Sequence, residues 1–165
     1  MEDIFVKQAE ESDLEQILTH LEDFQLDDTN VAYEQFYIAV NNQEIIGFGR
    51  IKPYDKIYEL SSVGVLPEHR SKGVGQKLIN YLIDIFPSND IWITTKIDEY
   101  FKQFGFKECH TPPEEIQYKQ IYICSKLCKS TKSTHCMLLK KNLSNELEKD
   151  KTTSSLTCTK QKKEL

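Results

Sequence analysis

At 165 residues, 39% of them hydrophobic and 10% aromatic, the chain suits one ordinary domain with one substantial core. No apolar run approaches the ~20 residues of a membrane span, and the acidic start Met1-Glu2-Asp3-Ile4-Phe5 lacks the basic and apolar regions of a signal peptide. A net charge of −5 argues against general nucleic-acid binding, so the expectation is a cytoplasmic protein whose five cysteines stay reduced.

In chain order, Ile4-Phe5-Val6 reads as a first strand. Ser12-Asp13-Leu14-Glu15 has the form of a capping box, and Leu14, Ile17, Leu18 and Leu21 mark the buried stripe of the helix behind it. Residues 25–34 are polar and weakly patterned, a loop or short helix. Phe36 to Val40, the turn Asn41-Asn42-Gln43 and Glu44 to Ile51 read as a hairpin. Tyr58 to Leu66 forms the next strand. It feeds a polar loop and then a helix with Val74, Leu78, Ile79, Leu82 and Ile83 on one face. Ile91 to Thr95 is a strand, another short one follows Phe106, and Thr111-Pro112-Pro113-Glu114 starts a helix running to about Lys126. His135 to Leu139 closes the domain, residues 1–141. The Ser/Thr/Lys/Glu-rich segment 142–165 reads as a disordered tail; its final Lys162-Lys163-Glu164-Leu165 looks like an ER-retrieval tetrapeptide but would need a signal peptide to be read in the lumen.

The loop Pro67-Glu68-His69-Arg70-Ser71-Lys72-Gly73-Val74-Gly75 carries two glycines and two strong bases at a helix start. Free backbone N–H groups and the positive end of a helix dipole make such a place an anion site, and glycine lets a ligand approach the backbone closely. The spacing is not that of a P-loop, and Leu78 stands where a dinucleotide fingerprint needs a small residue. Arg70-x-x-Gly73-x-Gly75 instead resembles the acetyl-CoA pyrophosphate loop of the GNAT N-acetyltransferase superfamily. Some 30 residues later, Tyr100-Phe101-Lys102-Gln103-Phe104-Gly105-Phe106 is similar to that family's late motif, an aromatic pair, three residues, then Gly-Phe.

The resemblance covers about residues 3–140. It implies an α/β (α+β) GNAT fold, a mixed, mostly antiparallel sheet splayed at its central strands and flanked by helices. It implies acetyl-CoA as co-substrate and a primary amine of a small molecule or peptide as acceptor. In such a fold the backbone of Val63, Gly64 and Val65 pairs with the pantetheine arm. The amides of Arg70, Ser71, Lys72, Gly73, Val74 and Gly75 take the pyrophosphate, with Gln76, Thr94 and Phe101 completing the cofactor contacts. Partners are then the cofactor and the amine, without nucleic acid or membrane, and with a homodimer left open.

An amine of pKa near 10.4 is almost fully protonated at neutral pH and needs a base. Glu59 stands fourteen residues before Gly73, where several GNAT branches place a glutamate base; the bland alternative is a strand-end carboxylate in water. His69 reads as a solvated loop residue. The family's usual tyrosine acid position holds Phe101, and Tyr100 would point roughly 100° away on a helix. A thiol, with a pKa near 8.5, leaves readily without help, yet Phe101 keeps a non-catalytic CoA-binding module as an alternative. Thr94-Thr95 before Tyr100-Phe101 also resembles the glutamate-acetylating type, which hints at amino-acid-like acceptors. The acidic segment 10–34, with Glu10, Glu11, Asp13, Glu15, Glu22, Asp23, Asp27 and Asp28, points the other way, either to a wall for a cationic amine or to a solvated face. Cys109, Cys124, Cys128 and Cys136, with His110 and His135 beside them, raise a zinc-dependent interaction protein as a further alternative, but their spacing is not that of a zinc motif.

Overall fold

The computed structural model describes residues 3–127 and 133–141. Strand β1 (Phe5–Gln8) leads through a 3-10 turn (Glu11–Asp13) into helix α1 (Leu14–Asp23). Strands β2 (Phe36–Asn41), β3 (Glu44–Pro53) and β4 (Tyr58–Val65) follow, then helix α2 (Val74–Ile85) and β5 (Asp90–Thr95). After the short helix α3 (Asp98–Lys102) and β6 (Lys107–Glu108), α4 (Glu114–Tyr118) runs through a π-helical stretch, Lys119–Cys124, into α5 (Ser125–Leu127). β7 (His135–Lys140) completes a seven-stranded sheet in the order β1-β2-β3-β4-β5-β7-β6. Only β4 and β5 are parallel neighbours, because α2 carries the chain across the sheet between them.

Strand alternation sends β2 and β3 side chains to two different helices. Ile38 and Val40 face Ile17 and Leu21 of α1, whereas Ala39 and Ile46 meet Val74 at the start of α2. The larger core lies under α2, where Leu78, Ile79 and Leu82 pack on Leu60, Ile91, Ile93 and Phe106. Truncating a fully buried leucine such as Leu82 costs about 2–5 kcal/mol in lost burial and residual cavity.

The expected hairpin is present, with Asn42 and Gln43 alone between its strands and both left-handed, at φ 47° and 68°. Positive φ at both central positions is the conformation whose twist matches the strands. The first capping box is not Ser12 to Glu15. Instead the Glu10 N–H donates to Asp13 Oδ2 at 2.8 Å, because a 3-10 turn precedes the α-helix and moves the cap upstream. Leu18, read as part of the buried stripe, is 41% exposed. The strand expected from Ile4 begins at Phe5. The helix expected from Thr111 begins at Glu114 with Pro113 as its cap. The tail 142–165 and Cys128 lie outside the described residues. Among the described residues no helix is long and apolar enough to cross a membrane.

Candidate active site

The site originates in a defect of the sheet. Phe48 pairs with Gly64 and Arg50 with Ser61, so Gly49 alone opposes both Ser62 and Val63. That is a β-bulge, and Ser62 sits in it at φ 49°. On the other edge, β4 and β5 share one paired position, Glu59 with Trp92. Beyond it they diverge, which leaves the β5-side backbone edge of Leu60 to Val65 facing an open cleft. A cavity of about 1020 Å³ fills the divergence, running from Leu60, Ser61 and Lys119 to the turn before α2.

One end of the cavity is built to meet an anion. Gly73 caps α2 at φ +80°, with no atom of the described residues within 4 Å of where a Cβ would be. Backbone conformation, not crowding, therefore selects glycine there. Val63, Gly64, Val65, Arg70 and Ser71 line the cavity, as do Gly73, Gly75, Gln76, Thr94 and Phe101. Arg70 Nε donates to the Val65 carbonyl at 2.9 Å, and its guanidinium lies 5.5 Å from the centre of the Phe24 ring. Lys72 is exposed and Val74 is buried in the core, so neither side chain lines the wall. The Thr94 hydroxyl is buried on that wall without a hydrogen-bond partner among the described residues, a group that a bound chain with polar atoms would satisfy. Gly64 is forced by close approach, since a Cβ there would fall 2.6–2.7 Å from Phe48 and Phe24.

Two aromatic side chains sit differently from expectation or from each other. Phe101 is nearly buried and packs edge-on against Phe106. Tyr100, expected to point away, lines the cavity, and its hydroxyl lies 2.8 Å from the position a Gly75 Cβ would take. Desolvation raises the Tyr100 phenol above its usual range, so at neutral pH it is a donor.

Packed beside the other end of the cavity is every charged side chain that is buried among the described residues: Asp27 and Lys119, which line it, and Arg50, Lys52 and Glu59 behind them. Arg50, fully buried, donates to Gln35 Oε1 at 2.8 Å and to the carbonyls of Thr29 and Asn30 at 2.8 and 2.9 Å. These bonds pin the loop after α1. Lys52 Nζ bonds Asp27 Oδ2 and Thr29 Oγ1, both at 2.7 Å. Glu59 accepts from the Tyr54 hydroxyl at 2.9 Å and from Lys119 Nζ at 2.7 Å. Lys119 also donates to Ser61 Oγ at 2.9 Å and stands 3.7 Å from Asp27 Oδ2.

Burial alone would raise the Asp27 carboxyl, but the field of Lys119 and the bonds from Lys52 and Thr29 bring it down to about 2. Burial opposes the Lys119 charge, yet Glu59 and Asp27 outweigh it and hold the ammonium above the usual lysine range. Burial foremost, with Glu59 beside it, pushes the Tyr54 phenol far up. Tyr54 therefore keeps its proton at neutral pH.

Glu59 is therefore at the predicted end of the site, but its carboxylate is fully buried and off the cavity wall. Of the acidic segment, Asp23 and Asp27 line the cavity, and Asp27 is paired with Lys52. Glu10 and Asp13 cap the first turn, and Glu15, Glu22 and Asp28 flank a separate groove. Among the described residues no group of three or more His, Cys, Asp or Glu is placed to hold a metal. Lys119 escaped the sequence reading. Its signal is the three-residue step from Ile116, which is fully buried against Trp92 and Cys136; that step puts a lysine on the inward face of its helix.

The model of the Acetyltransferase (GNAT) family matches residues 1–106. An uncharacterized N-acetyltransferase of Chlorobaculum tepidum is 28% identical over 99 residues, 58% of this chain and 56% of that protein. The chain thus aligns with little more than half of that relative. Among solved structures, N-acetylglutamate synthase of Neisseria gonorrhoeae, complexed with coenzyme A and N-acetyl-glutamate, matches at a TM-score of 0.69. It is 16% identical, and the match covers 86% of this chain but 36% of that one. The ribosomal-protein-S18-alanine N-acetyltransferase of Escherichia coli matches at 0.60 with 14% identity, over 86% of this chain and 96% of that one. At such identities the likeness to both structures is one of fold, and the family match spans well over half of the sequence: the chain belongs to the GNAT acetyltransferase family.

Proposed function

We propose that the protein transfers an acetyl group from acetyl-CoA to an amine. The observation that carries this reading is the single cavity joining the glycine-capped turn of α2 to the charged end of β4. Acetyl-CoA supplies the acetyl thioester; the N. gonorrhoeae structure that shares this fold holds CoA. In this reading the amides from Arg70 to Gly75 take the phosphates, and the free edge of Val63 to Val65 takes the amides of the thiol arm. Thr94 Oγ1 bonds the same arm, and Gln76 and Phe101 flank it.

Glu59 is the proposed base. Its oxygens are taken by Tyr54 and Lys119, so it acts on the amine through a bridging water or hydroxyl rather than by direct contact. The ammonium gives one proton to the carboxylate through that bridge; the freed amine then forms the C–N bond, the sulfur leaves with the C–S bonding pair, and the second amine proton ends on it as the CoA thiol.

Thiol release from acetyl-CoA across an amine panel tests the reaction. Glu59→Gln should lower turnover by roughly 10²–10⁴ while calorimetry shows CoA affinity unchanged; full activity would remove Glu59 from the mechanism. Gly73→Glu should abolish CoA binding, since it sets a carboxylate at the helix N-terminus where the phosphates belong. An unmodified protein that fails to bind CoA at millimolar concentration would overturn the proposal.

A further inference from the structure

The charges buried beside the cavity do not cancel. Arg50, Lys52 and Lys119 are cations, Asp27 and Glu59 anions, which leaves one net positive charge in a desolvated cluster. Asp27 is committed to Lys52 at 2.7 Å, and the charge of Arg50 is spread over carbonyl and amide oxygens. Lys119 is the cation of the cluster that reaches the cavity, where Asp27 also lines the wall. Its side chain is 6% exposed, and an ammonium has three donors, of which Glu59 and Ser61 use two. The third N–H has Asp27 Oδ2 only at 3.7 Å, beyond hydrogen-bond reach.

Ser61, two residues past the last paired position of β4 and β5, lines the cavity beside Lys119. Its hydroxyl oxygen accepts from Lys119, and its proton, which faces Ser62 Oγ at a long 3.3 Å, can turn from that weak contact toward a ligand. Elsewhere along the wall, beyond Asp27, the charged side chains are Asp23 against Arg70 and Lys96, so the rest of the wall adds no net negative charge.

Resting on the reading that this cavity takes an amine acceptor, we propose that the acceptor also carries a carboxylate, bound by Lys119 Nζ and the Ser61 hydroxyl. A carboxylate meets a desolvated ammonium in a charge-assisted hydrogen bond and completes the charge balance of the cluster. A polyamine would instead add cations to a site that already holds an excess. The acceptor class is therefore the amino acids and peptides whose free carboxylate lies near the reacting amine.

Two measurements test this. Calorimetry on the full chain saturated with CoA compares N-acetyl amino acids of each side-chain class with their carboxamides. Some acid should bind at least tenfold more tightly than its amide. Lys119→Met should erase that preference, as should the double variant Glu59→Gln/Lys119→Met, which removes the ion pair as a unit. CoA affinity of each variant reports that it is folded. Thiol release by the unmodified protein then compares amino acids, their amides and spermidine, with the lowest KM expected among the acids. Turnover without carboxylate preference, or a preference that survives the loss of Lys119, overturns this inference and leaves acetyl transfer standing. A carboxylate preference in binding with no turnover of any amine does the reverse.

Discussion

Tyr100 and Phe101 are adjacent and meet edge-on at 5.5 Å between ring centres, yet they face different environments. Phe101 belongs to the core beneath α2, while the Tyr100 hydroxyl reaches the first turn of α2 beside Gly75. A phenol placed there is a donor next to the amides proposed to hold phosphate. On the proposed reading it would meet the cofactor chain, not the acceptor. Tyr100→Phe should therefore weaken CoA binding three- to tenfold, the ~0.5–1.5 kcal/mol of one neutral hydrogen bond, with kcat unchanged. Calorimetry and initial rates together decide the matter. A fall in kcat at unchanged affinity would instead make Tyr100 the acid that Phe101 cannot be.

At the scale of elements, the hairpin between β2 and β3 carries a correctable strain. Gln43 is held at φ 68° with no glycine's freedom, and a left-handed non-glycine residue costs about 1–2 kcal/mol. Gln43→Gly turns the loop into Asn-Gly, the pair that this turn favours. It should raise the unfolding free energy by about 0.5–1 kcal/mol once the added freedom of the unfolded chain is deducted. A denaturant midpoint that does not move would show that the turn is not strained. The hairpin itself was legible because two apolar runs flank Asn-Asn-Gln, and α2 because Val74, Leu78, Ile79 and Leu82 fall on one face. The π-helical stretch was not legible, since no residue between Lys119 and Cys124 marks a widened turn. Nor was the charged cluster: Arg50 and Lys52 look like outward residues of β3, and Asp27 like one acid among many. What makes them a site is register. Lys52 pairs with Glu59 across β3 and β4, and the loop holding Asp27 folds over both, a contact that sequence spacing cannot show.

Across the whole molecule, that cluster joins four separate parts of the chain: the loop after α1, strand β3, strand β4 and the π-helical stretch. Its ion pairs tie the acceptor end of the cavity to global stability, and acid should reveal the link. The Asp27 carboxyl has a folded value of about 2 against an ordinary 3.8. A depressed carboxyl contributes stability that is complete above its unfolded value and is lost as pH falls through its folded value. The window is therefore about pH 4 down to 2, and the stability lost there is about 2 kcal/mol. Urea unfolding of the unmodified protein at pH 5, 4, 3 and 2 should fall by that much more than unfolding of Asp27→Asn. The variant starts lower, because Lys52 loses its partner, but has no Asp27 carboxyl to titrate. Should the variant prove too unstable to measure, a carboxyl titration of the unmodified protein by NMR gives the same information. A midpoint near 2 for Asp27 agrees with the cluster as described, and a midpoint near 4 would mean that Lys52 and Lys119 do not act on it in solution.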